Sequence, residues 1–195
     1  MNDANDPGLF DEPVKLCRFL LVISPESRVV EEVTTMKQDL RGHIGGYSGS
    51  GSVPHITLFY ADLPAECERD VCDGVVRGCQ GQLGFRLHLN GITHFPDKRT
   101  IYIDPVEKEA IGSLRGNIVA HVRTFKNIRK LGVNATDHPH LTIAAGLKPH
   151  QFEQAWTMLA PHAYASEQQV VEVVLLRRDL VPGGRYERVG RFPLG

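Results

Sequence analysis

The chain of 195 residues predicts an α+β fold in which helices pack outside sheets whose concave faces meet. Two observations predict it. Segments that alternate polar and apolar residues, the mark of strands, interleave with segments whose apolar residues recur every three or four positions, the mark of helices. A short pattern also occurs twice, roughly half the chain apart: "VPHITLFY" from Val53 to Tyr60 and "HPHLTIAAG" from His138 to Gly146. Each copy precedes a helical pattern and then a pair of strand patterns, which makes a weak internal repeat.

The elements follow in order. "KLCRFLLVIS" from Lys15 is a strand, and Pro25 opens a helix with Val29, Val33, Met36 and Leu40 on one stripe. "GHIGGYSGSGS" is a flexible loop before the first His/Thr strand. A helix from Pro64 to Gln80 carries Cys67, Val71, Val75 and Cys79 on its inner face. "FRLHLNGITHF" and "RTIYIDP" form a hairpin around Pro96, Asp97 and Lys98. The next helix starts near Val106 and turns Ile111, Leu114, Ile118 and Val122 inward. After the second His/Thr strand, Phe152, Ala155, Trp156 and Leu159 mark another helix. "QVVEVVLLRRD" and "RYERVGRFPL" close the chain as two strands around the turn "VPGG".

Composition narrows the function. Lys and Arg total 22 against 23 for Asp and Glu, so no overall basic field drives sequence-independent binding to nucleic acid, and any phosphate recognition is local. The cysteines Cys17, Cys67, Cys72 and Cys79 lack zinc-ribbon spacing and read as free buried thiols. The polar, acidic start of the chain reads as a disordered lead-in over residues 1–14 and not as a signal peptide. No apolar run approaches the roughly 20 residues that span a bilayer. The expected address is the cytoplasm, with no membrane association.

On a strand, alternate residues share a face. His55 and Thr57 therefore point one way and Ile56, Leu58 and Tyr60 the other, while His140 and Thr142 oppose Leu141 and Ile143. One such motif reads readily as a buried histidine satisfied by a carbonyl beside an ordinary strand threonine. Two copies, each preceded by proline and each alternating with aliphatic residues, point to chemistry instead. Two imidazoles across a cleft can act as general base and general acid. Each threonine hydroxyl can donate to a non-bridging phosphate oxygen where negative charge develops.

The motifs "HITL" at His55 to Leu58 and "HLTI" at His140 to Ile143 resemble those of the 2H phosphoesterase superfamily, in particular its bacterial branch similar to 2'-5' RNA ligases and RNA 2',3'-cyclic phosphodiesterases. "GITHFPDKRTIYIDP" and the closing "VVLLRRDLVPGGRYERVGRFPL" are similar to other stretches of that family. The resemblance implies two pseudo-symmetric lobes, each an antiparallel sheet with flanking helices, in one bilobal domain over 15–195 with the active groove between them. It also implies that His55, Thr57, His140 and Thr142 form the catalytic tetrad. The implied activity is hydrolysis of a 2',3'-cyclic phosphate or related nucleotide or RNA phosphodiester, with 2'-5' ligation as its reverse. RNA-acting bacterial members often place a basic residue after the second motif, whereas Ala144, Ala145 and Gly146 stand here.

The remaining candidates concern binding. Tyr47, in the loop with His43, Gly45 and Gly46, is a base-stacking candidate on a lid. Phe95, Tyr102 and Arg99 are further substrate-binding candidates, with core or solvated roles as the alternative; Arg177 and Arg178 could add local charge. "HPH" at His138 to His140 lacks a partnering carboxylate or cysteine, so no metal and no cofactor is expected. The expected partner of a monomeric chain is a nucleotide or an RNA end bearing a cyclic phosphate. The rival from another class is a non-catalytic nucleotide or RNA-end binding module on the same fold.

Overall fold

A computed structural model describes residues 14–195; the lead-in, apart from Val14, lies outside the described residues. The strands are β1 Leu16–Ile23, β2 Ile56–Pro64, β3 Phe85–His94, β4 Ile101–Pro105, β5 Asn134–Ala135, β6 Leu141–Ala144, β7 Ala165–Val170, β8 Glu172–Asp179 and β9 Glu187–Pro193. The helices are α1 Ser27–Ile44, α2 Glu68–Cys79, α3 Lys108–Val122, α4 Lys126–Leu131 and α5 Pro149–Leu159. Antiparallel pairing joins the strands in the order β7-β3-β4-β6-β2-β1-β8-β9, with β5 off the path beside β2.

The expected two lobes are two runs of four strands within this sheet, β7-β3-β4-β6 and β2-β1-β8-β9. They meet where β2 touches β6, at the single pair Ile56 and Leu141. The helices cover one face of the sheet. Helices α1 and α5 pack together near β6, while α2 and α3 pack together with contacts to β9 and β2 respectively. The apolar residues between helices and sheet, among them Phe19, Leu21, Ile56, Leu58, Phe59 and Ile143, are fully buried. All four thiols are free, with Cys17, Cys67 and Cys79 buried as expected and Cys72, off the stripe of α2, only half-buried.

Several sequence expectations need correction. "QVVEVVLLRRD" is not one strand: β7 ends at Val170, β8 begins at Glu172, and the two lie in different lobes. A uniform apolar run hides such a crossing, because strands of both lobes need the same residues. Helix α1 runs on to Ile44, so His43 sits in its last turn with Nδ1–H donating to the Asp39 carbonyl at 2.8 Å. Helix α4 and strand β5 were not expected; six and two residues are too short for a clear periodicity. Tyr60 also lies on the unexpected face. The β1–β2 pairing jumps from Leu21↔Phe59 to Val22↔Thr57, so Leu58 is the extra residue of a β-bulge. Beyond it the alternation reverses, and Phe59 and Ala61 are buried while Tyr60 is half-exposed.

Glycines let α2 and α3 approach closely. A Cβ at Gly78 would lie 2.5 Å from the Ile118 Cα, and one at Gly74 would lie 2.7 Å from the Val122 Cα. Gly78→Ala should therefore destabilise the protein by about 1–3 kcal/mol through overpacking. Gly116→Ala on α3, where a Cβ meets nothing within 4 Å, should be neutral or stabilising by up to about 1 kcal/mol. Urea denaturation of both variants checks this; equal midpoints would show that the helix contact has room to spare.

Candidate active site

Each His-x-Thr motif begins with the same local device. The His55 ring nitrogen Nδ1 lies 2.7 Å from the Val53 carbonyl oxygen, and the His140 Nδ1 lies 2.7 Å from the His138 carbonyl oxygen. A carbonyl only accepts, so Nδ1 carries the proton in both rings and Nε2 is left to exchange one. Pro54 and Pro139, both buried, are the residues between carbonyl and histidine. Proline fixes its own φ and restricts the residue before it, which holds the accepting carbonyl in place.

The seam brings the two motifs together. Ile56 pairs with Leu141 in antiparallel register, so His55 comes opposite Thr142 and Thr57 opposite His140, all on the face away from Ile56 and Leu141. Both aliphatic residues are 0% exposed, whereas the four His and Thr side chains are half-buried. The face without helices therefore carries the tetrad.

Two further candidates join it. Tyr102 pairs with Thr142 across β4 and β6, and its ring centroid lies 5.3 Å from that of His140. Phe95 stands edge-on to His140 at 5.1 Å and leans on Tyr102 at 4.6 Å. Arg99, exposed at the β3–β4 turn, lines a separate cavity of about 500 Å³ with Lys98, Lys148 and Phe152. Tyr47 packs against the core and donates its hydroxyl to the Lys37 carbonyl at 3.1 Å. Burial pushes its phenol up to about 12. Arg177 is held by Glu68 at 2.6 Å. Arg178 lies over the Tyr186 ring. His138 is exposed, and among the described residues no cluster of three or more His, Cys, Asp or Glu is arranged to hold a metal ion.

Sequence reasoning missed Lys37. It lies on the buried stripe of α1 between Val33 and Leu40 and is 2% exposed. Its Nζ donates to the Ser52 carbonyl at 2.9 Å, the Ser52 Oγ at 3.1 Å and the Gly49 carbonyl at 3.4 Å. A lysine on an otherwise apolar stripe was the available signal. The loop before the first motif is consequently a tethered strap and not a free lid. Ser48 bridges to Ala145, and Gln151 donates to the Ile44 and Gly46 carbonyls.

Burial is the main influence on both imidazoles and lowers the proton affinity of each. The Lys37 ammonium and a protonated His140 lower His55 further. At His140 the nearby Asp104 carboxylate acts in the opposite sense and raises it. The charge on His140 is thus felt at His55, the smallest of the influences on that ring.

Residues 25–182 match the family model described as the 2'-5' RNA ligase superfamily. The chain belongs to the 2'-5' RNA ligase superfamily. By sequence, no match to a curated protein emerges. Solved structures of other proteins share this fold. TT0787 of Thermus thermophilus is 20% identical with a TM-score of 0.67, covering 91% of this chain and 97% of its own. LigT of E. coli, solved as a complex with 3'-AMP, is 17% identical with a TM-score of 0.62, covering 92% of this chain and 98% of its own. LigT has also been solved with ATP, at 18% identity and a TM-score of 0.58, covering 92% of this chain and 99% of its own.

Burial lowers the Lys37 ammonium from 10.5 to about 8. Between those values the unfolded chain keeps a proton that the folded chain has released, so this residue's contribution to stability rises with pH. The unfolding free energy of the wild type minus that of Lys37→Met should increase between pH 8 and 10.5, on the order of 3 kcal/mol in total. The difference cancels the thiols, whose ionisation burial pushes up. A flat difference from paired urea denaturations would show that burial leaves Lys37 unperturbed.

Proposed function

We propose that the protein is a phosphoesterase that opens a 2',3'-cyclic phosphate, or a related nucleotide or RNA phosphodiester, with His55 and His140 sharing the proton transfers and no metal taking part. The observation that carries this reading is the matched Nδ1-to-carbonyl bond of the two histidines, which leaves both Nε2 atoms for exchange. One neutral imidazole takes a proton from water as its oxygen attacks phosphorus. The other, protonated, gives its proton to the departing ribose oxygen. Water is consumed, one P–O bond forms, one breaks, and the pair ends with its proton on the opposite ring. Thr57 and Thr142 donate hydroxyls to the non-bridging oxygens as charge builds there. With a 5'-hydroxyl end in place of water as the attacking oxygen, the same ring opening joins two strands, and run backwards it would cleave them again to the cyclic phosphate.

Phe95 and Tyr102 offer an aromatic surface beside His140, and a nucleobase on that surface would set the phosphate between the imidazoles. Arg99 and Tyr47 have no part in this reading.

His55→Ala and His140→Ala should each lower turnover of cyclic mononucleotides by about 10²–10⁴-fold, and Thr57→Val by about 10²-fold. Because burial lowers both imidazoles, the bell-shaped profile of kcat/KM should peak below the ordinary histidine value near 6.5. Wild-type rates in both alanine variants would overturn the mechanism. Nucleotide binding without turnover in the wild type would assign the groove to recognition alone.

Turnover should also be unchanged after dialysis against EDTA. Loss of turnover that one added divalent ion restores would replace the two-histidine scheme with a metal-assisted one.

A further inference from the structure

The face that carries the tetrad has an apolar cluster of its own, separate from the core. Leu20 and Val22 of β1 and Val174 of β8 form it, with Tyr60 and Leu176 packed against them. This cluster floors a cavity of about 670 Å³ that reaches His55 and is edged by Tyr186, Arg185, Arg188 and Arg191. The volume is in the range of ligand sites.

Register explains how the arginines come to face the cavity. In β9, Arg191 pairs with Val174, Gly190 with Leu175 and Arg188 with Leu176. Residues three apart on a regular strand point to opposite faces. Here Val189 is an extra residue that packs against the core, so Arg188 and Arg191 both stand beside residues of the apolar floor. Charges on an edge strand discourage aggregation, but that role sets no particular face. Arg191 Nη1 lies 2.6 Å from Glu172 Oε1, and among the described residues no carboxylate is paired with Arg185 or Arg188. The chain's charges otherwise nearly balance, so this is a local concentration of guanidinium groups.

The rows run across the sheet. Thr57, Val22, Val174 and Arg191 form one row, and Tyr60, Leu20, Leu176 and Arg188 the next. From β2 to β9 is three strand spacings, about 14 Å. The two middle positions are apolar and the far one is a guanidinium suited to a phosphate. A mononucleotide that leans on Phe95 and Tyr102 beside His140 lies on the other side of the seam and leaves this cavity empty.

We propose that the cavity seats a second nucleotide of a single-stranded oligonucleotide, its base on Leu20, Val22, Val174 and Leu176 and its phosphate on Arg188 and Arg191. The preferred substrate is then an oligonucleotide end and not a mononucleotide. This proposal rests on the tetrad holding the reacting phosphate.

The test compares kcat/KM of the full chain on a 2',3'-cyclic mononucleotide and on a trinucleotide ending in the same group, with anisotropy of a fluorescein-labelled 3'-phosphorylated trinucleotide measured over a salt series. The trinucleotide should be preferred at least tenfold. Arg188→Gln/Arg191→Gln should reduce that preference at least tenfold and flatten the salt slope by about 0.7 for each phosphate that is no longer neutralised. Arg188→Glu alone should weaken trinucleotide binding further than Arg188→Gln. Equal kcat/KM on both substrates in the wild type would overturn the proposal, as would a double variant that loses the same factor on both. If no cyclic phosphate is turned over, the phosphoesterase reading fails. The anisotropy series then decides the subsite by itself: arginine-dependent binding upholds it, and binding indifferent to both arginines removes it.

Discussion

The pairing of Ile56 with Leu141 sets the geometry of the whole groove, because an antiparallel register decides which side chains stand opposite one another. A slip of one residue would turn every histidine and threonine of one motif toward the helices. The backbone contact at this seam is too short to secure the register by hydrogen bonds alone. Ile56 and Leu141, fully buried on the helix side, secure it with apolar burial on the order of 1.5–3 kcal/mol each. The apolar half of each motif thus aims the polar half.

That coupling is why much of the groove was legible in the sequence. Polar residues at every second position of an apolar strand state their face directly, and two copies at matching places state that the faces belong together. Bulges are harder to read. In β2 the only trace is the adjacency of Leu58 and Phe59, two apolar residues where alternation asks for one. In β9 it is a valine and a glycine between two arginines. A bulge adds one residue without changing composition, yet it moved Tyr60 to the groove face and set Arg188 beside Arg191. The passage from β7 to β8 at Val171 was hidden for a related reason, since valines suit either lobe.

Lys37 shows a different limit. An ammonium 2% exposed and bonded to loop oxygens makes the helix beneath the groove dependent on the strap above it. The glycines and serines of that strap suggested mobility because they lack side chains to pack. Their carbonyls nonetheless serve as acceptors, and a buried cation needs acceptors more than it needs a packed surface. Gln151 gives a second tie of this kind from α5. Polar burial here links α1, the strap and α5 into one support for His55.

The strands of the lobe β7-β3-β4-β6 occupy one uninterrupted stretch of chain, from Phe85 to Val170, inserted between β2 and β8 of the other lobe. The helices do not respect this division. Helix α1 comes from the outer stretch yet packs with α5 near β6, while α3 and α4 come from the inserted stretch yet contact α2 and β2. Each stretch thus lends a cover to the other's sheet. Excising the insertion would strip apolar surface from both sheets at once, so neither piece retains what it needs to fold alone. Two such fragments would be expected to reassemble only as a complementing pair, a reciprocal interlock in which the groove exists only when both are present.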